Sequence, residues 1–309
     1  MFLATRWEKS MTSDPKASPE RATIAVIGTG IMGSAMARNL LAAGLPTTVW
    51  DRSPEATAPL GVAGAVVAAS AQDAIRDARV VITMLPDADV VESVMFSDGL
   101  PPFAAGAVWA QMGTIGVAAT TGLAARLGRV RPDLMFVDAP VSGSIGAAEA
   151  GQLLILASGP AAAEPAVAPA FAAIGRKTVW LGAVGQGSRM KLVVNTYLSF
   201  LIEGLAEALE LGHRLGVDPA GLDAVLEGGP LDAPLVDAKL HKIARGDFTP
   251  EFPLQWALKD VDLAIAAGRG TSLPMLSALS RQWHSAVEAG YGRNDVSAAR
   301  LALADPARV

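Results

Sequence analysis

The chain has 309 residues, 51% of them apolar and 18% charged, with a formal net charge of -5. That is enough apolar material for two packed cores, without the basic surplus that nucleic acid or an anionic membrane would require of a partner. There is no cysteine, which excludes disulfides, thiol catalysis and cysteine-ligated zinc, and agrees with a reducing, cytoplasmic setting.

Residues 1–21 mix charges and prolines with scattered apolar residues and lack the apolar core of a secretory signal. They are expected to form a flexible tail, with Met11 as an alternative start. The pattern then changes: 23–27 reads as a buried strand, Gly28-Thr29-Gly30-Ile31-Met32-Gly33 as a tight turn, and 34–43 as a helix that Gly44 closes. In such a strand, turn and helix the first glycine permits the turn. The second lets a pyrophosphate approach the backbone, and the third lets helix pack on strand at the positive helix end. A second strand, 47–50, ends at Asp51-Arg52-Ser53. Asp51 could accept from a ribose 2′-hydroxyl, as NAD requires, whereas Arg52 and Ser53 could hold the 2′-phosphate of NADP.

Strand and helix patterns keep alternating, with strands at 80–85, 107–110, 135–138, 153–156 and 178–181. Alternation predicts a doubly wound α/β unit, mainly parallel, with ligands at the carboxyl ends of the strands. Leu85, Pro86 and Thr114 fall at such ends and could border a nicotinamide; a turn proline and a capping threonine are the plainer readings. Between two strands, residues 138–146 are rich in glycine and serine, which suits carboxylate capture by exposed N–H groups and equally suits a structural connector. This Rossmann-type domain is expected over 22–185.

Residues 188–217 contain no proline, and Met190, Val194, Tyr197, Leu201, Leu205 and Leu209 follow one helix face. Leu192, Val193, Leu198, Phe200 and Ile202 widen that face, so most of the first turns should be buried. No run of 18 consecutive apolar residues free of charge and glycine marks a membrane span. Lys191 and Asn195, four residues apart, interrupt the apolar surface and point the same way. Further helical patterns at 219–227, 232–244, 253–268 and 274–289 predict an all-helical domain over 186–309, joined to the first by the long helix. Within it, Phe252 is followed by Lys259-Asp260, a pair that would ordinarily be a solvated face. His213, His241 and His284 lie outside these motifs. No metal-binding pattern is present.

Taken together, residues 26–33, the 138–151 loop, the Lys191–Asn195 helix and 252–260 resemble, in order, the β-hydroxyacid dehydrogenases. That group contains 3-hydroxyisobutyrate dehydrogenase and the glyoxylate or succinic semialdehyde reductases. Gly290, Gly292, Asp295, Ser297 and Ala298 resemble its ending. The resemblance implies a hydride transfer between a nicotinamide and a small carboxylated substrate, with Lys191 as acid/base and Asn195 orienting substrate. It implies that Ser142 and Gly143 hold the carboxylate, with Ser144 beside them, and that Thr114, Phe252, Lys259 and Asp260 line the cleft. It also implies a homodimer or homotetramer. Glycine is usual at Ser144 and leucine at Trp256, so pocket shape departs from the pattern there. The Arg52-Ser53 pair is similar to NADP-using relatives, so NADP(H) is favoured, with NAD(H) possible. For oxidation Lys191 must be neutral, which needs burial and neighbouring positive charge. Two alternatives are an imine reductase and a non-catalytic cofactor-binding interaction protein; retention of Lys191 counts against both.

Overall fold

The computed structural model describes residues 23–303 except Asp98, Leu100 and Pro101. The tail and alternative start expected within 1–21 lie outside the described residues.

Six parallel strands form the first sheet: β1 (Ile24–Ile27), β2 (Thr47–Trp50), β3 (Val66–Val67), β4 (Val80–Thr83), β5 (Val108–Gln111) and β6 (Met135–Asp138), in the order β3-β2-β1-β4-β5-β6. Between them run α1 (Ile31–Ala42), α2 (Pro54–Val62), α3 (Ala71–Ile75), α4 (Ala88–Phe96) and α5 (Val117–Val130). Every residue of β1 and β4 is buried, which is why both read as unbroken apolar runs: helices cover both faces of a parallel sheet. One face packs Met36 and Leu40 of α1. The other is built on Trp109, whose ring stands 5.1 Å from Phe136 and 6.0 Å from both Phe96 and Phe103. Strand order reverses between β1 and β4, and the crevice above that point is where such sheets take ligands.

Three later strands do not extend this sheet. β7 (Val141–Ser142), β8 (Leu153–Ala157) and β9 (Gly175–Trp180) form a second, three-stranded sheet in which β7 is antiparallel. Helices α6 (Ile145–Glu149) and α7 (Glu164–Ile174) accompany it. The segment read from sequence as a loop thus contains a short strand and the start of a helix, too brief to leave a periodic signature. β3, two exposed residues long, leaves none for the same reason.

The long helix α8 (Gln186–Leu215) is followed by α9 (Pro219–Leu226), α10 (Pro234–Ala244), α11 (Leu254–Ala267), α12 (Pro274–Glu288) and α13 (Ala299–Leu303). Gly216, at φ +74°, ends α8 in the left-handed conformation. Its start is pinned by Asp138: the carboxylate accepts from Ser188 N (2.8 Å), Ser188 Oγ (2.8 Å) and Ser158 Oγ (3.1 Å). A Cβ on Gly187 would sit 2.3 Å from Leu156 O, so only glycine allows this approach. Burial pushes the Asp138 carboxyl upward, against the pull of those hydrogen bonds.

One expectation for α8 needs correction. Its first turns are not mostly buried: Met190, Val193 and Tyr197 are exposed, while Leu192, Ile202, Leu205 and Leu209 face the core. Apolar residues run right round the helix, so periodicity could not choose the buried side. By length and composition α8 could also cross a bilayer, with a mean hydropathy of 1.4 over 18 residues. Polar Asn195 and Glu203 are nonetheless buried in it and bonded to protein partners, as in a core helix.

Candidate active site

Elements from both halves of the chain meet at a cleft of about 370 Å³. The turn between β1 and α1 forms one wall. Gly28 has φ +93°, and a Cβ there would lie 2.5 Å from Met84 O, a position closed to other residues. A Cβ on Gly33 would lie 1.9 Å from Gly28 O, so the third glycine is what lets α1 dock under the turn. Gly30 differs: nothing stands within 4 Å of where its Cβ would be. No side chain caps the start of α1, so its first N–H groups face an open cradle with the helix dipole behind them. These residues fit the pyrophosphate of a dinucleotide.

At the end of β2, Asp51 is already engaged. Its Oδ2 accepts from Thr29 N (2.7 Å) and Oγ1 (3.3 Å), and Oδ1 from Ser53 N (3.0 Å). The carboxylate ties β2 to the glycine turn. Arg52 beside it is exposed and has no ion-pair partner among the described residues. Ser53 donates to Glu55 (3.2 Å).

Deeper in, Gly30, Ile31, Met32 and Gly33 face Leu85, Pro86, Thr114 and Gly143 across the cleft, with Lys191, Phe252, Lys259 and Asp260 closing it from the helical side. Gly28, Thr29 and the Asp51–Ser53 group stand at the nucleotide end outside this space, and Ser142 and Ser144 stand beside Gly143 without lining it. Ser144 instead caps α6, its Oγ accepting from Ala147 N (3.4 Å).

Lys191 and Asn195 project from one side of α8, as their spacing requires. Asn195 is buried and donates through Nδ2 to Asp260 Oδ2 at 2.6 Å. One N–H of its amide is therefore engaged by Asp260, and it borders the cleft through that carboxylate. Asp260 Oδ1 lies 3.2 Å from Lys259 Nζ. Lys259 also donates to Pro86 O (2.9 Å) and to Thr114 O, so its ammonium links α11 to the ends of two strand segments. Far from a solvated face, Asp260 is only 4% exposed. The Lys191 ammonium has no hydrogen-bond or ion-pair partner among the described residues. Burial pushes its pKa down; Asp260 opposes this and Lys259 adds to it.

Phe252 is held by a residue that the sequence marked only as part of an ending. Asp295, fully buried, accepts from Glu251 N (3.0 Å), Phe252 N (3.2 Å), Ser297 N (3.2 Å) and Ser297 Oγ (2.8 Å), and pairs with Lys239 Nζ at 2.9 and 3.1 Å. Burial would raise its pKa, but Lys239 and the hydrogen bonds hold it below the ordinary value. Sequence reasoning missed Glu251, Met84, Met112, Val141, Ile145 and Pro253 on the cleft wall; only adjacency to Phe252 could have flagged Glu251 and Pro253. Trp256 does line the cleft. All three histidines are exposed and none lines the cleft.

Residues 23–182 match the family model of the NAD binding domain of 6-phosphogluconate dehydrogenase, and residues 185–303 that of the NAD-binding of NADP-dependent 3-hydroxyisobutyrate dehydrogenase. The chain is 34% identical to glyoxylate/succinic semialdehyde reductase 1 of Arabidopsis thaliana over 279 residues, 89% of this chain and 96% of that protein. It is 35% identical to 3-sulfolactaldehyde reductase of Escherichia coli (strain K12), over 90% of this chain and 94% of that one. The solved structure of Mycobacterium tuberculosis 3-hydroxyisobutyrate dehydrogenase with L-serine superposes with a TM-score of 0.83 at 28% identity, covering 92% of this chain and 99% of that one.

Proposed function

The chain belongs to the β-hydroxyacid dehydrogenase family and is an NAD(P)-dependent oxidoreductase; from that premise we propose that it interconverts a short carboxylated aldehyde and the matching hydroxyacid, with Lys191 as general acid and base. The observation that carries this reading is an ammonium in the cleft without a protein partner, its pKa lowered by burial. A bound nicotinamide supplies or accepts the hydride. As negative charge develops on the carbonyl oxygen, Lys191 gives it a proton; in the reverse direction the neutral amine takes the proton from the hydroxyl. Asn195 acts on this step by orienting Asp260, the carboxylate whose charge acts on Lys191. Gly143, on the cleft wall with Ser142 beside it, holds the substrate carboxylate through its backbone, and Phe252 and Trp256 limit substrate length.

NADP(H) is the preferred cofactor in this reading. Asp51 has turned its oxygens to backbone N–H groups, and the neighbouring Arg52 is free to meet a 2′-phosphate. The active species is a homo-oligomer.

Lys191→Ala is the deciding variant. It should leave cofactor affinity nearly unchanged and reduce turnover by about 10²–10⁴-fold. Turnover at the wild-type level would refute the assignment of Lys191. Wild-type enzyme is screened with glyoxylate, succinic semialdehyde, 3-hydroxyisobutyrate and tartronate semialdehyde, each with both cofactors. Turnover only with an imine, or tight cofactor binding with no turnover at all, would overturn the substrate class.

A further inference from the structure

Among the described residues, the charged side chains on the cleft wall are Lys191, Glu251, Lys259 and Asp260. Lys191 carries the proton, while Lys259 and Asp260 are paired with each other and tied to the strand ends and to Asn195. Glu251 is left without a part in the reaction. Two lysines on one face of α10 hold its carboxylate from behind. Oε2 accepts from Lys239 Nζ at 3.0 Å, and Oε1 lies 3.6 Å from Lys242 Nζ. Both lysines are buried, whereas the Glu251 side chain is 44% exposed. Its backbone is fixed too, since Glu251 N donates to Asp295 at 3.0 Å. The carboxylate stands at the cleft wall in a set position, so little ordering remains to be done when a ligand meets it.

Neither lysine depends on Glu251 alone. Lys239 also pairs with Asp295 at 2.9 Å, and Lys242 with Asp247 at 3.3 Å. Two ammoniums thus face three carboxylates, which leaves one negative charge over. Asp295 is fully buried and Asp247 does not line the cleft, so Glu251 presents that surplus to the cleft. A carboxylate offers about four lone-pair sites, of which the two lysines engage only some. The rest can accept from a ligand, beside the apolar walls of Phe252, Pro253 and Trp256. A β-hydroxyacid carries one variable group, on the carbon between its carboxylate and its reacting carbon. With the carboxylate at Gly143 and the reacting carbon at Lys191, a variable group turned to the Phe252 side of the cleft meets Glu251.

On the hydroxyacid chemistry given above, which it rests on, we propose that Glu251 determines specificity for that group: it selects a hydrogen-bond donor there, a hydroxyl or an ammonium, and rejects a second anion. A series that varies only this group tests it by oxidation with NADP+: 3-hydroxypropanoate (hydrogen), 3-hydroxyisobutyrate (methyl), glycerate (hydroxyl), serine (ammonium) and hydroxymethylmalonate (carboxylate), with both enantiomers where they exist. Each kcat/KM is divided by that of 3-hydroxypropanoate on the same protein, so a general loss of activity cancels. In the wild type, glycerate or serine should exceed 3-hydroxyisobutyrate by about 10–100-fold, the effect of one charge-assisted hydrogen bond, and hydroxymethylmalonate should rank last. Glu251→Gln keeps the shape and leaves each lysine a carboxylate, so the fold should survive. It should lower the ratio for serine and raise that for hydroxymethylmalonate, each by about 10-fold or more. Glycerate should change less, since an amide oxygen still accepts from a hydroxyl. A merely structural Glu251 would scale all five alike. A wild type that takes 3-hydroxyisobutyrate as well as it takes serine and glycerate, or an order that Glu251→Gln leaves unchanged, would overturn the proposal. So would turnover of none of the five by an enzyme that reduces glyoxylate; an enzyme that turns over neither refutes the underlying chemistry as well.

Discussion

Lys239→Met leaves the fully buried Asp295 carboxylate without its charge partner. It removes two contacts to Asp295, at 2.9 and 3.1 Å, and one to Glu251 Oε2 at 3.0 Å, with almost no change in volume. Breaking one side of a buried ion pair typically costs about 3–5 kcal/mol, because the remaining charge stays desolvated. For a chain of this size that is a fall of roughly 6–20 °C in thermal midpoint. Urea unfolding followed by circular dichroism measures the free energy directly. The pH dependence has a definite sign. Asp295 has its pKa lowered in the fold, so its contribution is full above the ordinary carboxylate value of about 3.9 and is lost as pH falls through the lower folded value. The gap between wild type and Lys239→Met should therefore be widest at neutral pH and close in acid. Because Asp295 also holds the N–H groups of Glu251 and Phe252 at the cleft, KM for substrate should rise in the variant. A loss below about 1 kcal/mol, or a gap that stays the same from neutral pH into acid, would refute the reasoning.

In the catalytic direction of reduction, Lys191 must be charged. The rate should be level below its lowered pKa and fall as pH rises through it, with oxidation showing the mirror-image profile. Asp260→Asn removes the charge that holds this pKa up, so both limbs should move to lower pH; pre-steady-state rates across pH measure this. Gly33→Ala drives a methyl to 1.9 Å from Gly28 O, and overpacking of about 1–3 kcal/mol should appear as weakened cofactor binding in a fluorescence titration. Arg52→Ala should raise the KM for NADPH by roughly 10–100-fold, the worth of a charge-assisted hydrogen bond, and scarcely alter that for NADH.

Most of the fold was legible from local patterning. Buried parallel strands and their helices have distinct periods, so β1, β2, β4, β5, β6 and the five large C-terminal helices could be read within a residue or two at most ends. The glycine turn was legible because its constraints are local: a φ of +93° at Gly28 and a near-contact at Gly33 admit no other residue. The Lys191–Asn195 pair stood out because two polar residues four apart on an apolar helix already share a direction. The rest depends on partners distant in sequence, which no local pattern encodes. Packing turned Asn195 toward Asp260, 65 residues away, and lodged Lys259 on the carbonyls of Pro86 and Thr114. It made Ser144 a helix cap and turned Asp51 to the glycine turn. It also drew the last strands into a sheet of their own. Side-chain identity and spacing fix which way a group faces on its own element; what it faces is set by how the elements pack.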